Sequence, residues 1–347
     1  MDPATLIPIA DPLPIHRAWF DILLIVTFTV HILFMNALVG SAFIGLVRAL
    51  KGNGQLAHDV GQKLPPLLAL TINMGVAPLL FLQVNYGHFD YVSSVLMGGW
   101  WLAVIAALMV SYYGFYIYKF GYGAMTPVKR NVLFTVSLAG LLYTGFMLTN
   151  NTSLMLVPDE WTRYFTEDGG FLNLKDPTVY PRFLHFMVGA VAVGGLWIAL
   201  LGEVRKVDEY VEVGMKWFTH VTLLNLGVGI WFLLSLPQHV LLGLMGGNLP
   251  ATLTLVASLV AVAMVLVTGF KKQPKVTTIW VVTLVFFMAC TRHWVRTLYI
   301  EPWYDMETIP VTNSYGSFFL FLGFLIVGGA IMGYMLKLYF KSRKGRA

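Results

Sequence analysis

Residues 251–270 read ATLTLVASLVAVAMVLVTGF. Twenty residues pass without one charge, and one helix needs about twenty to cross a hydrocarbon layer roughly 30 Å thick. A soluble core helix is shorter and polar on one side. This stretch is apolar all round, so it reads as a membrane span. Working outward in both directions gives eight more such runs. The nine expected spans are 19–50, 67–86, 95–118, 132–149, 183–201, 217–236, 251–270, 278–297 and 315–340. The expected fold is an all-α, polytopic membrane helix bundle forming one domain over residues 1–347.

Composition agrees. Of 347 residues, 57% are hydrophobic and 12% charged, about half the charged share of a soluble domain. The net charge of +6 is no nucleic-acid footprint, because Lys and Arg sit beside the spans. The single cysteine, Cys290, excludes internal disulfides, c-type heme attachment and thiolate clusters. No cleavable signal peptide is expected, since the first apolar run is too long and follows Pro-rich, acidic residues.

The basic residues are unevenly shared between the two sets of connections. One set holds most of them, among them Arg48, Lys119, Lys129, Arg205, Lys271 and Lys341. The other holds Arg17, Arg163, Lys175, Arg182, Arg292 and Arg296. The positive-inside rule then places the C-terminus in the cytoplasm and the N-terminus outside. The longest connection, 150–182, falls outside and is rich in Asp, Glu and Pro.

The spans as drawn contain almost no carboxylate, which argues against a membrane proton relay of the usual kind. Histidines remain. His31, His185 and His293 lie toward the outer ends of three different spans, and His239 lies in an outer connection. His16, His58 and His88 read as solvated loop residues. An imidazole in apolar surroundings is unfavourable unless bonded or coordinated, and several at one depth suggest a shared ligand such as heme iron. Arg182, Arg292 and Arg296 lie at the same depth and suit carboxylates such as heme propionates. Gly189, one turn after His185, is expected to clear room for a porphyrin face. Against this stands a plainer reading of each histidine as a polar packing residue, and of Arg292 and Arg296 as interfacial anchors. No span carries two well-separated histidines, and there is no His-His pair, so two common membrane heme architectures are excluded.

Several stretches, in order, carry a resemblance. They are VTFTVHILFMNALVG (26–40), INMGVAPLLFLQVNYG (72–87), LLYTGFMLTNNTSLMLVPDEW (141–161) and PRFLHFMVGAVAVGG (181–195). The last is CTRHWVRTLYIEPW (290–303), which runs on into VTNSYGSFFLFLGF. Together they resemble subunit I of the cytochrome bd oxidases. The resemblance implies a prokaryotic cytoplasmic membrane, b-type hemes near the outer face and electron transfer among them. It puts His185 at the axial ligand of the low-spin b heme and His31 at the first-helix histidine.

The chain departs from the family pattern in five places, one of them the lack on the seventh span of a clear counterpart to the methionine that pairs with the low-spin heme histidine. GGWWLAVIAALMVSYYGF (98–115) lacks the third-helix glutamates. Only PQHVLLGLMGGNLP (237–250) stands where the family has its long quinol loop. A threonine, Thr297, replaces the eighth-helix glutamate that serves the high-spin heme, and Ile-Glu-Pro-Trp replaces Gly-Arg-Gln-Pro-Trp. His293, four residues before Thr297, is expected to reach the heme that the glutamate serves in the family, and His239 to stand in for the missing methionine. The expectation is therefore a divergent membrane b-type cytochrome with more than one heme b, rather than heme d. His185, His31 and His293 would be its axial ligands. Its electron partner would be a c-type cytochrome on the outer side or a second membrane subunit, in place of quinol. A divergent terminal oxidase is the nearest alternative; a heme-free transporter or structural membrane subunit is the alternative of another class.

Overall fold

The computed structural model describes residues 2–166, 170 and 172–344. Of the acidic connection 150–182, residues 167–169 and 171 lie outside the described residues. Among the described residues are nine helices long and apolar enough to span a bilayer. They are α1 (Ala18–Leu50), α2 (Leu64–Leu96), α3 (Gly98–Gly121), α4 (Pro127–Met155), α5 (Val179–Arg205), α6 (Asp208–Leu234), α7 (Leu249–Phe270), α8 (Pro274–Ile300) and α9 (Tyr315–Lys344). No strand is present among them beyond one isolated bridge between Leu13 and Val311. The protein is an all-α, multi-pass membrane bundle, as the apolar runs predict.

The helix starts carry their own signals. Asn248 accepts from the Ala251 amide at the head of α7, and Thr126 accepts from Lys129 at the head of α4. Both caps are followed by a proline in the first turn, where its missing N–H is harmless.

Close approach of helices depends on small residues. A methyl added to Gly40 of α1 would overlap the Ala190 carbonyl, and one on Gly194 of α5 would overlap Gly40 and Ser41. On the other side of α5, an added Cβ on Gly195 would lie 2.7 Å from the Gly214 carbonyl oxygen of α6. The VGAVAVGG run thus lets α5 pack hard against α1 and α6, without a side chain between backbones.

One end of the bundle is tied by charge. Arg48 donates to Glu209 at 2.8 Å, Tyr210 donates to Asp59 at 2.7 Å, and Asp59 also pairs with Arg205. Burial pushes the Asp59 carboxyl up, but the bonds from Arg205 and Tyr210 and the Arg205 charge outweigh this and hold it below the usual carboxylate range. The opposite end carries the N-terminal segment, whose Leu13 is bonded to Pro310 and Thr312. There Trp161 is fully buried and donates to the Leu154 carbonyl at 2.8 Å.

Two features differ from expectation. α2 does not stop at Tyr86 but runs to Leu96, with a kink at Tyr86 (φ −130°, ψ 20°). Gly87-His88-Phe89-Asp90 looks like the start of a connection, yet it continues as helix because its polar groups are satisfied inside. Asp90, 2% exposed, accepts from Gln83 at 3.3 Å and from Asn151 of α4 at 3.2 Å. His88 is buried between the rings of Phe89 and Tyr304 and is not a solvated loop residue. A span read as free of carboxylate therefore carries a buried one. The second feature is α9. It touches the bundle through Phe318 on Trp19 and Phe321 on Phe81, and apart from Phe318 and Leu322 its described side chains are exposed.

Candidate functional site

A cavity of about 290 Å³ lies among α1, α5, α6, α7 and α8. It is about twice the size of the roughly 150 Å³ apolar void that can hold benzene. Its polar mouth is at the N-terminal end of the bundle. Arg182 and His185 of α5 and Arg292 and Arg296 of α8 all line it. Helical geometry brings them together. His185 follows Arg182 by three residues, and Arg296 follows Arg292 by four, so each pair shares one helix face.

His185 fits against α6 because residue 229 is glycine. A Cβ there would stand 3.1 Å from the imidazole Cε1 and 3.3 Å from Nδ1. The Nδ1 atom approaches the Asn225 backbone but closes no hydrogen bond. An imidazole is thus placed in a cavity wall with its protein partners incomplete.

The three guanidiniums each lie over an aromatic ring. Arg182 lies 5.3 Å from the Phe232 centroid, Arg292 4.3 Å from Phe28 and Arg296 4.5 Å from Tyr86. Arg182 also donates to Thr178 at 3.4 Å. Nε of Arg182 and of Arg296 is buried without a partner. Among the described residues, none of the three has a carboxylate oxygen within 4.0 Å; Asp176 and Asp90 act on Arg182 and Arg296 only at longer range. Buried charges are normally paired or bound to a counter-charge. Three cations around one largely apolar slot leave a place for an anionic amphipathic molecule.

The remaining predicted ligands lie elsewhere. His31 faces α2, with Nδ1 3.0 Å from the Thr71 carbonyl and its ring against Gly75. His293 is buried with Nδ1 3.4 Å from Asp21 Oδ1, a charge contact without hydrogen-bond geometry. Asp21 in turn accepts from Asn85 at 2.9 Å and lies 3.5 Å from Arg17. His239 is exposed on a short helix, Gln238–Leu242, 6.4 Å from the Tyr299 ring. None of these three lines the cavity. Its wall holds one histidine of the four expected to bind the cofactor, and all three expected arginines.

Gly189 lines the cavity as expected, but what it clears is Asn225, whose Nδ2 would lie 3.1 Å from an added Cβ. Asn225 and Asn36 are lining residues that sequence reasoning passed over. The available signal was a lone carboxamide inside an otherwise apolar span.

A heme fits the residues present. One imidazole stands in the wall and three guanidiniums at the mouth. Gly189 and Gly229 thin the α5–α6 wall, and the lining between is mostly apolar. Among the described residues no group of three or more His, Cys, Asp or Glu could hold a bare metal ion. No family model matches the chain. No curated protein matches it either.

Proposed function

We propose that this protein is a membrane b-type cytochrome, similar in plan to subunit I of the cytochrome bd oxidases, that carries electrons at the N-terminal end of its bundle. The observation behind this reading is the convergence of His185 with Arg182, Arg292 and Arg296 on one cavity, where the guanidiniums lack carboxylate partners. His185 would be the axial ligand and the arginines would take the propionates. Bound heme b supplies a one-electron couple. The chain's own residues seat the imidazole against Gly229, hold anionic groups at the mouth and exclude water along an apolar wall. With the N-terminal end outside, the electron partner is a c-type cytochrome on that side or a second membrane subunit, and the surrounding lipid is that of a prokaryotic inner membrane.

One observation favours a second reading, a divergent terminal oxidase. Asp90 is a buried carboxylate within electrostatic reach of Arg296, a group that proton supply to oxygen chemistry requires. A heme-free membrane subunit is the reading from another class, and it predicts histidines bound to protein alone. His31, bonded to the Thr71 carbonyl, meets that description, whereas Nδ1 of both His185 and His293 lacks a hydrogen-bond partner.

The test is a reduced-minus-oxidised spectrum of the purified, heme-supplied protein. Wild type should show b-type bands, His185→Ala should lose them, and His239→Ala should keep them. A featureless wild-type spectrum would remove the reading.

A further inference from the structure

The cavity is deeper than a group held by His185 and the arginines requires. On α8 its lining runs from Arg296 down to Val281, roughly 22 Å along the axis. Levels can be assigned from the helix contacts. Gly229 faces His185 and Gly189 faces Asn225, so Asn225 lies one turn, about 6 Å, below the imidazole. Asn36 comes to that level from α1, because Gly40, one turn further on, packs on Ala190 and Gly194. Below the two asparagines the lining is apolar, including Ala192, Val193, Val265 and Val281, apart from Thr222, whose hydroxyl donates to the Phe218 carbonyl at 2.6 Å. It reaches Phe218, roughly 10 Å beyond Asn225.

The two carboxamides are out of place in such a slot. Asn36 is 6% exposed, and Oδ1 of both residues is buried with no hydrogen-bond partner. Buried amide groups are nearly always satisfied, and in hydrocarbon no solvent does it for them. The missing partner is uncharged, because the cations stand above, at the mouth. It also has an apolar extension, because the one hydroxyl in the arm beneath, that of Thr222, is already bonded to its own helix.

We propose that the deep arm binds an isoprenoid chain whose oxygen-bearing head lies between Asn36 and Asn225. A carbonyl or ether oxygen there accepts from Nδ2, and a hydroxyl donates to Oδ1. Two molecules bring this chemistry: a prenyl quinone or quinol drawn from the bilayer, and a hydroxyfarnesyl side chain on the heme itself. The second source rests on the heme reading above; the first does not. A phospholipid does not fit, since its charged head belongs with the arginines and its ester oxygens lie next to that head, not a turn below His185.

The experiment is mass spectrometry of an organic extract of the purified protein, followed by titration of the heme-loaded protein with ubiquinone-2. About one equivalent of prenyl quinone or of hydroxyfarnesyl heme per chain is expected, with the identity separating the sources. An Asn36→Leu/Asn225→Leu double variant should retain at least five-fold less of it. Where the extract holds neither, ubiquinone-2 should bind wild type at least ten-fold more tightly than the double variant. Val193→Phe, which fills the arm without touching a polar group, should give the same loss if the double variant does not fold. An extract of protoheme and phospholipid alone, with equal ubiquinone-2 binding by wild type and variants, overturns the proposal. Absence of all heme from the wild type would instead strike the cytochrome reading, and the quinone arm of the test would still run on the apoprotein.

Discussion

His185 is held in place by an atom that is missing. Gly229 leaves its ring room against α6, where any Cβ would crowd the imidazole. Arg296 is held differently, laid on Tyr86 with its Nε unpartnered. A guanidinium beside a redox group favours the reduced, more negative state. Arg296→Gln should therefore lower the midpoint potential in a redox titration by tens of millivolts, at about 59 mV for each 1.4 kcal/mol of lost charge stabilisation; an unchanged potential would put this arginine away from the redox group. At this scale the sequence was partly legible. Arg182, His185, Arg292 and Arg296 stand at matching helix ends, and depth alone was enough to group them. His293 was not legible in the same way. Its spacing from Thr297 fixed a face of α8 but not which neighbour that face meets, and the neighbour is Asp21 rather than the cavity. Asn36 and Asn225 needed three helices in register before their missing partners could be noticed.

At the scale of elements, apolar runs located all nine long helices but not their ends. α2 shows why. The residues after Tyr86 are polar enough to read as a loop, and Asp90 is made acceptable inside a helix by Gln83 of the same helix together with Asn151 of a different one. Burial of that kind depends on a partner distant in the chain, which no local pattern reports. Helix approach was legible, because a glycine-rich run has few other uses in a span. The crossing of α1 and α5 leaves no room for a side chain at Gly40 or Gly194. Gly194→Val should lower stability by about 1–3 kcal/mol in detergent unfolding, together with loss of His185-linked absorbance, since the same helix carries both. Gly333→Val, on α9 with no atom near its position, should leave both unchanged.

For the whole molecule, charge supplies an orientation that the fold alone does not. Salt bridges joining Arg48, Arg205 and Lys275 to carboxylates gather at one end, and the buried arginines of the candidate site lie toward the other. A fluorescent protein fused to the C-terminus should be bright, and alkaline phosphatase fused there inactive; active phosphatase would reverse the topology and move the site to the cytoplasmic side. The likeness to cytochrome bd subunit I is a proposal drawn from the order of motifs along the chain; the bundle itself brings one histidine and three arginines to a common cavity. The account stands or falls on what fills that cavity. A density map of the heme-supplied protein in lipid addresses it directly. The account predicts planar density carrying an iron-strength peak beside the His185 imidazole, with its two acidic arms toward Arg182, Arg292 and Arg296. A cavity holding only lipid or water, with His185 bonded to protein alone, would contradict it.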